Sequence, residues 1–179
     1  MLPLLFIAGW AQVLEKDGVT VEAREVGKPY PEHRVSAHSA LTVEQFMKYF
    51  HERFPIMKDD RLTRKVVSKT PERMVFHDVL KMPVGSDRVY DIEFKRKYDG
   101  TILEWQFKYV PGELCDGCVT MDQLYGSWTF SPGEKGGTDI VYQIYSDPGG
   151  SFPKFMVGGK LAEGALDRVR RTLKDAQSP

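Results

Sequence analysis

The sequence predicts an α+β fold in which a curved antiparallel sheet wraps around one long C-terminal helix. Three observations predict it. Residues 126–153 read as two strands joined by a Gly-rich turn, then a second turn that launches a helix. Beyond that turn, Val157, Leu161, Ala162, Ala165, Leu166, Val169 and Leu173 recur at helical spacing, with Lys160, Glu163, Asp167, Arg170, Arg171 and Lys174 mostly off the stripe. Upstream, several runs alternate apolar and polar side chains with period two, which gives a sheet one dry and one wet face. The helical stripe is the natural cover for the dry face. Space left between the two is an internal apolar cavity, which points to binding a hydrophobic ligand rather than to catalysis.

The 179 residues suit a single domain over 1–179, with no linker, repeat or low-complexity tract. Hydrophobic and aromatic contents of 41% and 12% supply a core. Twenty-five basic residues balance 25 acidic ones. With a pI near 6.9, no global field draws the chain to nucleic acid, and no nucleic-acid partner is expected. Residues 2–7 are apolar but follow no Lys or Arg, and the run is too short for an h-region or a membrane span. Two readings stand: residues 1–9 are the remnant of a signal peptide whose true start lies upstream of Met1, or they open a first helix that packs on the body. The first implies an exported or periplasmic protein, the second a cytoplasmic one.

Taken in order, Trp10, Val13 and Leu14 have helical spacing and Asp17-Gly18 supplies a turn. Residues 19–26 read as a strand and 34–41 as a weaker one after Pro29-Tyr30-Pro31. Thr42, with Gln45 three positions on, opens a helix through a capping box. Val43, Phe46, Met47, Phe50 and Phe54 form its apolar face, and Pro55 ends it. Strands follow at 62–69, 73–82, 88–98 and 101–110, with Asp99-Gly100 as a two-residue hairpin signal, then at 121–130 and 138–145. Gly158, Gly159 and Gly164 weaken the last helix by roughly 1 kcal/mol each relative to Ala. Small residues there either leave room for a ligand or let the helix pack closely on the sheet.

Period two sorts the dry face. Met74, Phe76, Leu80 and Met82 share a side with Asp78; Tyr90, Ile92 and Phe94 share one with Arg88; Leu103, Trp105, Phe107 and Tyr109 share a third. Buried charges need partners, so Asp78 and Arg88 must each find one or reach a ligand group.

Catalytic and metal motifs are sparse. Cys115 and Cys118 form one C-x-x-C in a Gly- and Pro-flanked loop, and no histidine stands at metal-ligand spacing from it. A loop staple is expected in an exported protein, idle thiols in a cytosolic one. Neither a nucleophile elbow nor a phosphate loop occurs, and His77 and Asp78, adjacent on one strand, face opposite sides.

In order and spacing, several short motifs resemble the START family, the lipid-transfer domains of the helix-grip (SRPBCC) superfamily. Trp10 is followed by Asp17-Gly18 and a strand, and residues 82–88 form a proline-containing turn leading to Arg88. Closest is the end: Gly126, Trp128, Ser131-Pro132, Gly137-Thr138, Asp147-Pro-Gly-Gly150 and Pro153 before the final helix. Val89 departs from the family's Arg-Asp pair.

The resemblance implies a monomer with no cofactor that encloses one sterol, phospholipid or fatty acyl ligand and transfers it through transient membrane contact. The ligand wall is then Phe76, Leu80, Met82, Tyr90, Ile92, Phe94, Leu103, Trp105, Phe107 and Tyr109, with Val157, Leu161 and Leu166 from the helix. Arg88 either holds a polar group of the ligand or reaches solvent from the strand end. The 147–150 turn is the expected hinge of a gate. The superfamily also includes polyketide cyclases and aromatases, for which Tyr90, Tyr109, Arg88 and Asp78 would be the acid–base residues.

Overall fold

A computed structural model describes residues 9–82, 85–112, 117–150 and 154–178, apart from the side chains at 154–156 and 158. Residues 1–8, read above as a signal remnant or a first helix, lie outside them. Among the described residues one ten-stranded sheet has the order β1-β2-β3-β10-β9-β7-β6-β5-β4, with β8 paired to β6 off that path. The strands are β1 (Ala11–Lys16), β2 (Val19–Arg24), β3 (Glu32–Ser39), β4 (Leu62–Lys69), β5 (Arg73–Leu80), β6 (Arg88–Tyr98), β7 (Leu103–Val110), β8 (Val119–Thr120), β9 (Gln123–Pro132) and β10 (Thr138–Asp147). Helix α1 (Val43–Glu52) follows β3, and α2 (Lys154–Gln177) follows β10. All pairings are antiparallel except the two-residue β6–β8 ladder. The sheet curves without closing and grips α2, which packs on β1, β2, β3, β10 and α1.

The first element corrects the sequence reading. Residues 11–16 are a strand, and the helical spacing of Trp10, Val13 and Leu14 comes from a β-bulge between Gln12 and Leu14. The extra residue turns Val13 outward, 52% exposed, while Leu14 packs against the core. Trp10 lies under the guanidiniums of Arg24 and Arg34, each 4.5 Å from its ring. Asp17, with φ 53°, adopts the left-handed conformation the two-residue β1–β2 turn requires. The other edge strand, β4, is also bulged, between Val66 and Ser68. Bulged edges discourage pairing with other chains.

A second correction concerns Asp99-Gly100. Tyr98 pairs with Leu103, so the β6–β7 loop is the four residues 99–102. The Asp99 carboxylate accepts from the amides of Ile102 (2.7 Å) and Thr101 (2.8 Å), which closes this wider turn and holds its pKa below the usual range.

Helix α1 starts at the expected box: the Gln45 amide donates to Thr42 Oγ1 and the Thr42 amide to Gln45 Oε1. It ends at Arg53, ahead of a 3-10 turn over Phe54–Ile56. Its aromatic face packs on the concave side. Phe46 stacks on Phe130 at 4.7 Å, Phe50 lies 6.0 Å from Trp105, and Phe54 sits 5.4 Å from Phe94. Helix α2 is flanked by ion pairs: Arg170 with Asp17, Arg171 and Arg168 with Asp59, and Asp175 with Arg53.

Gly126 is where β9 passes under an aromatic ring. A Cβ there would stand 2.0 Å from the Gln143 carbonyl oxygen and 2.7 Å from Phe107 Cζ. Backbone on one side and a packed ring on the other leave nothing free to yield. Gly126→Ala is therefore expected to lower stability by about 2–3 kcal/mol, as overpacked cores do. An unchanged urea midpoint would contradict this.

Candidate functional site

The site is built on the concave face from β4, β5, β6, β10 and α2. On β4, Leu62, Arg64 and Val66 share a side by period two, and the β4–β5 register sets Arg64 directly opposite Asp78. Arg64 donates to both carboxylate oxygens, Nε to Oδ1 at 2.8 Å and Nη2 to Oδ2 at 2.6 Å. The pair is buried, with side-chain exposures of 8% and 1%. The guanidinium also lies over Phe76 (4.2 Å) and Phe54 (5.1 Å). Its remaining nitrogen, Nη1, is buried with no hydrogen-bond partner.

Across Asp78, in register on β6, stands Tyr90. Burial pushes the Tyr90 hydroxyl well above its ordinary pKa and Asp78 adds to the rise, while Arg168 and Arg64 oppose it. Tyr142 on β10 is pushed up by burial to about 12, again opposed by Arg168 and Arg64. Arg168 thus places a second guanidinium, from α2, within electrostatic reach of the same two hydroxyls. Its Nη2 lies 3.7 Å from Asp59 Oδ2, and its Nη1 is buried without a partner. Arg64, Asp78, Tyr90, Tyr142 and Arg168 are a polar island in an otherwise apolar enclosure.

Most of the sequence-predicted wall assembles here. Phe76, Tyr90, Ile92, Phe94, Leu103, Trp105, Phe107 and Leu166 are buried in one cluster, with Leu80 and Tyr109 half-buried against it. Phe107 stacks on Tyr142 at 5.9 Å. Met82 is half-buried beyond β5, its amide donating to Asp87 Oδ1. Val157 and Leu161 do not join this wall. The first turns of α2 lie over the β2–β3 connection, so these two pack with Tyr30, Tyr145, Val26 and Tyr125 in a second cluster.

Arg88 also departs from expectation. It does not reach solvent: it is 2% exposed, and its guanidinium donates to the carbonyls of Pro148 (from Nε), Ser86 (2.5 Å) and Gly149 (3.0 Å). It is a tie between the β5–β6 loop and the turn before α2. Cys118 is disulfide-bonded, in keeping with a staple; Cys115 lies outside the described residues. His77 and Asp78 face opposite sides as expected, with His77 Nδ1 2.6 Å from Asp91 Oδ1.

Sequence reasoning missed Arg64 and Arg168. Arg64 could have been found by folding the 62–80 hairpin at Pro71-Glu72 and asking which residue faces Asp78. Arg168 lies three residues after Ala165, at the margin of the apolar stripe. Among the described residues no group of three or more His, Cys, Asp or Glu is placed to hold a metal ion. Two hollows, of about 410 and 500 Å³, open to the exterior, one between the 3-10 turn and the end of α2 and one on the outer sheet face. The internal cavity expected from the sequence is neither of these.

No family model matches the chain. Over 89 residues it is 28% identical to the uncharacterized protein PA1579 of Pseudomonas aeruginosa, and the match covers 48% of this chain and 43% of that protein. The chain therefore aligns with less than half the length of that relative. Solved structures resemble it over nearly its whole length. A STAR-related lipid transfer protein from Xanthomonas axonopodis superimposes with a TM-score of 0.83 at 20% identity, covering 95% of this chain and 99% of that one. Human STARD10 gives 0.79 at 17% identity over 94% and 73%. Human StAR-related lipid transfer protein 5 gives 0.77 at 20% over 95% and 87%. The aromatase/cyclase di-domain StfQ of steffimycin biosynthesis is more distant, at 0.54 and 14% over 82% and 49%. The chain has the START-type helix-grip α+β fold.

Proposed function

We propose that the protein binds one hydrophobic ligand of lipid type, non-covalently, between the concave face of the sheet and α2. The observation that carries this reading is the polar island beneath α2. Unpartnered N–H groups inside an apolar enclosure are costly, and they are the arrangement that orients an apolar ligand with one polar end. Apolar ligand surface removed from water contributes about 25 cal/mol per Å². Admission requires α2 to move. Ion pairs line its flanks, and exposed pairs hold weakly, about 0–1 kcal/mol each.

Binding is preferred to cyclase-type chemistry. Asp78 is held by both oxygens on Arg64, and the Tyr90 and Tyr142 hydroxyls are pushed up by burial, away from the pKa near working pH that an acid–base residue needs. Transfer between membranes belongs to the same proposal, with the 147–150 turn as hinge. Native mass spectrometry of protein purified from its own host, followed by lipid extraction, tests it. One lipid per chain is the expected result. A bare mass, with no uptake from a mixed lipid pool, would sink the reading.

A further inference from the structure

Resting on that reading, we propose that the ligand's polar end is a carboxylate at the end of an acyl chain, seated against Arg64 and Arg168. Charge balance around the island selects it. Asp78 is taken up by Nε and Nη2 of Arg64. The other carboxylate of the site, Asp59, is 9% exposed and is held by Arg171 at 2.8 Å. It also accepts from the Arg61 amide at 2.9 Å. Arg168 is left with a 3.7 Å approach to that same carboxylate, too long for a hydrogen bond. Three guanidiniums therefore share two carboxylates, an excess of one positive charge.

The spare donors match. Arg64 Nη1 and Arg168 Nη1 are both buried without a partner, and both guanidiniums lie within electrostatic reach of the Tyr90 and Tyr142 hydroxyls. Those hydroxyls stay protonated and can donate. A carboxylate brings one negative charge and two acceptor oxygens, and charge-assisted bonds to arginine are the strong ones. A phosphate monoester, at about −1.5 to −2, would overshoot the single excess charge. A sterol or fatty alcohol would leave it uncompensated.

The test compares palmitate, the alcohol of the same chain length and a lysophosphatidate of the same chain length. Each is titrated into the full chain and into Arg168→Gln by tryptophan fluorescence, since Trp105 and Trp128 lie in the enclosure. Palmitate is expected to bind the unmodified protein about tenfold tighter than the alcohol, the ratio one charge-assisted hydrogen bond supports. Arg168→Gln is expected to bring that ratio close to one, and a cooperative urea transition reports separately that the variant is folded. Equal affinities for acid and alcohol, or a ratio that survives Arg168→Gln, would overturn the proposal and leave the carrier reading standing. Tighter lysophosphatidate binding would overturn the choice of carboxylate. Failure of all three probes to bind would overturn the carrier reading and this proposal together.

Discussion

Asp78→Ala is expected to destabilise the protein by about 3–5 kcal/mol, the loss seen when one member of a buried ion pair is removed. The magnitude follows from what is left behind. Arg64 would keep its charge among Phe54 and Phe76, with no carboxylate within reach of its Nε and Nη2. The two ring faces offset part of that penalty, on the order of 1–2 kcal/mol when desolvated, but not the whole. Asp78→Asn should cost nearly as much, because it keeps the shape and loses the charge. The double variant Arg64→Met with Asp78→Leu separates pair energy from fold: it removes both charges and is expected near wild-type stability or above it. Urea unfolding of all three variants reads the result. A loss below about 1 kcal/mol for Asp78→Ala would mean that the pair behaves as a solvent-exposed one. The island would then be wet, and the argument for a buried anchor would fall.

This pair also marks what the sequence made legible. Period two placed Asp78 on the dry face with Phe76 and Leu80, and it sits there. The capping box at Thr42 and the stripe through Leu166 and Val169 gave both helices, because those signals are local and each residue's neighbours on the chain are its neighbours in space. The motifs around residues 126–153 pointed to the START-type fold that the sheet order and structural likenesses display. Signals that depend on register were lost. A single bulged residue at Val13 counterfeited helical spacing, and the Asp99 carboxylate widened a turn that its dipeptide would have made tighter. Arg64 meets Asp78 only through hairpin register, and Arg168 approaches Asp59 only through the path of α2 across the sheet. Val157 and Leu161 carry the same stripe as Leu166, yet the helix starts over Tyr30, so the stripe serves two clusters. Composition cannot say where along its length a helix crosses an edge.

Arg88 is a further case of long-range assembly, and its replacement carries the second large expected effect. Its partners at Pro148 and Gly149 are 60 and 61 residues away, so nothing local announces them. The turn it holds is already constrained. Gly149 has φ 65°, a left-handed conformation, and a Cβ there would stand 2.9 Å from the Thr120 carbonyl oxygen. The Asp122 amide donates to the Asp147 carbonyl (3.1 Å), and the Val119 amide to that of Asp87 (3.0 Å). Arg88 completes this junction with charge-assisted bonds to three carbonyls. Arg88→Met keeps most of the stem and loses all three. At ~1.5 kcal/mol per bond, discounted for water that reaches the freed carbonyls, a loss of about 3 kcal/mol is expected. Arg88→Lys should recover little, because one ammonium cannot span the fork that reaches Ser86, Pro148 and Gly149 together. The diagnostic readout is amide hydrogen exchange. Exchange should accelerate at residues 147–150 and in the first turns of α2 well before it does at Leu166 or Val169, whose side chains stay in the main core. If exchange rises evenly along α2, Arg88 contributes only global stability. If it rises at the turn alone, and bound lipid leaves faster with little change in equilibrium affinity, Arg88 sets how readily the helix opens.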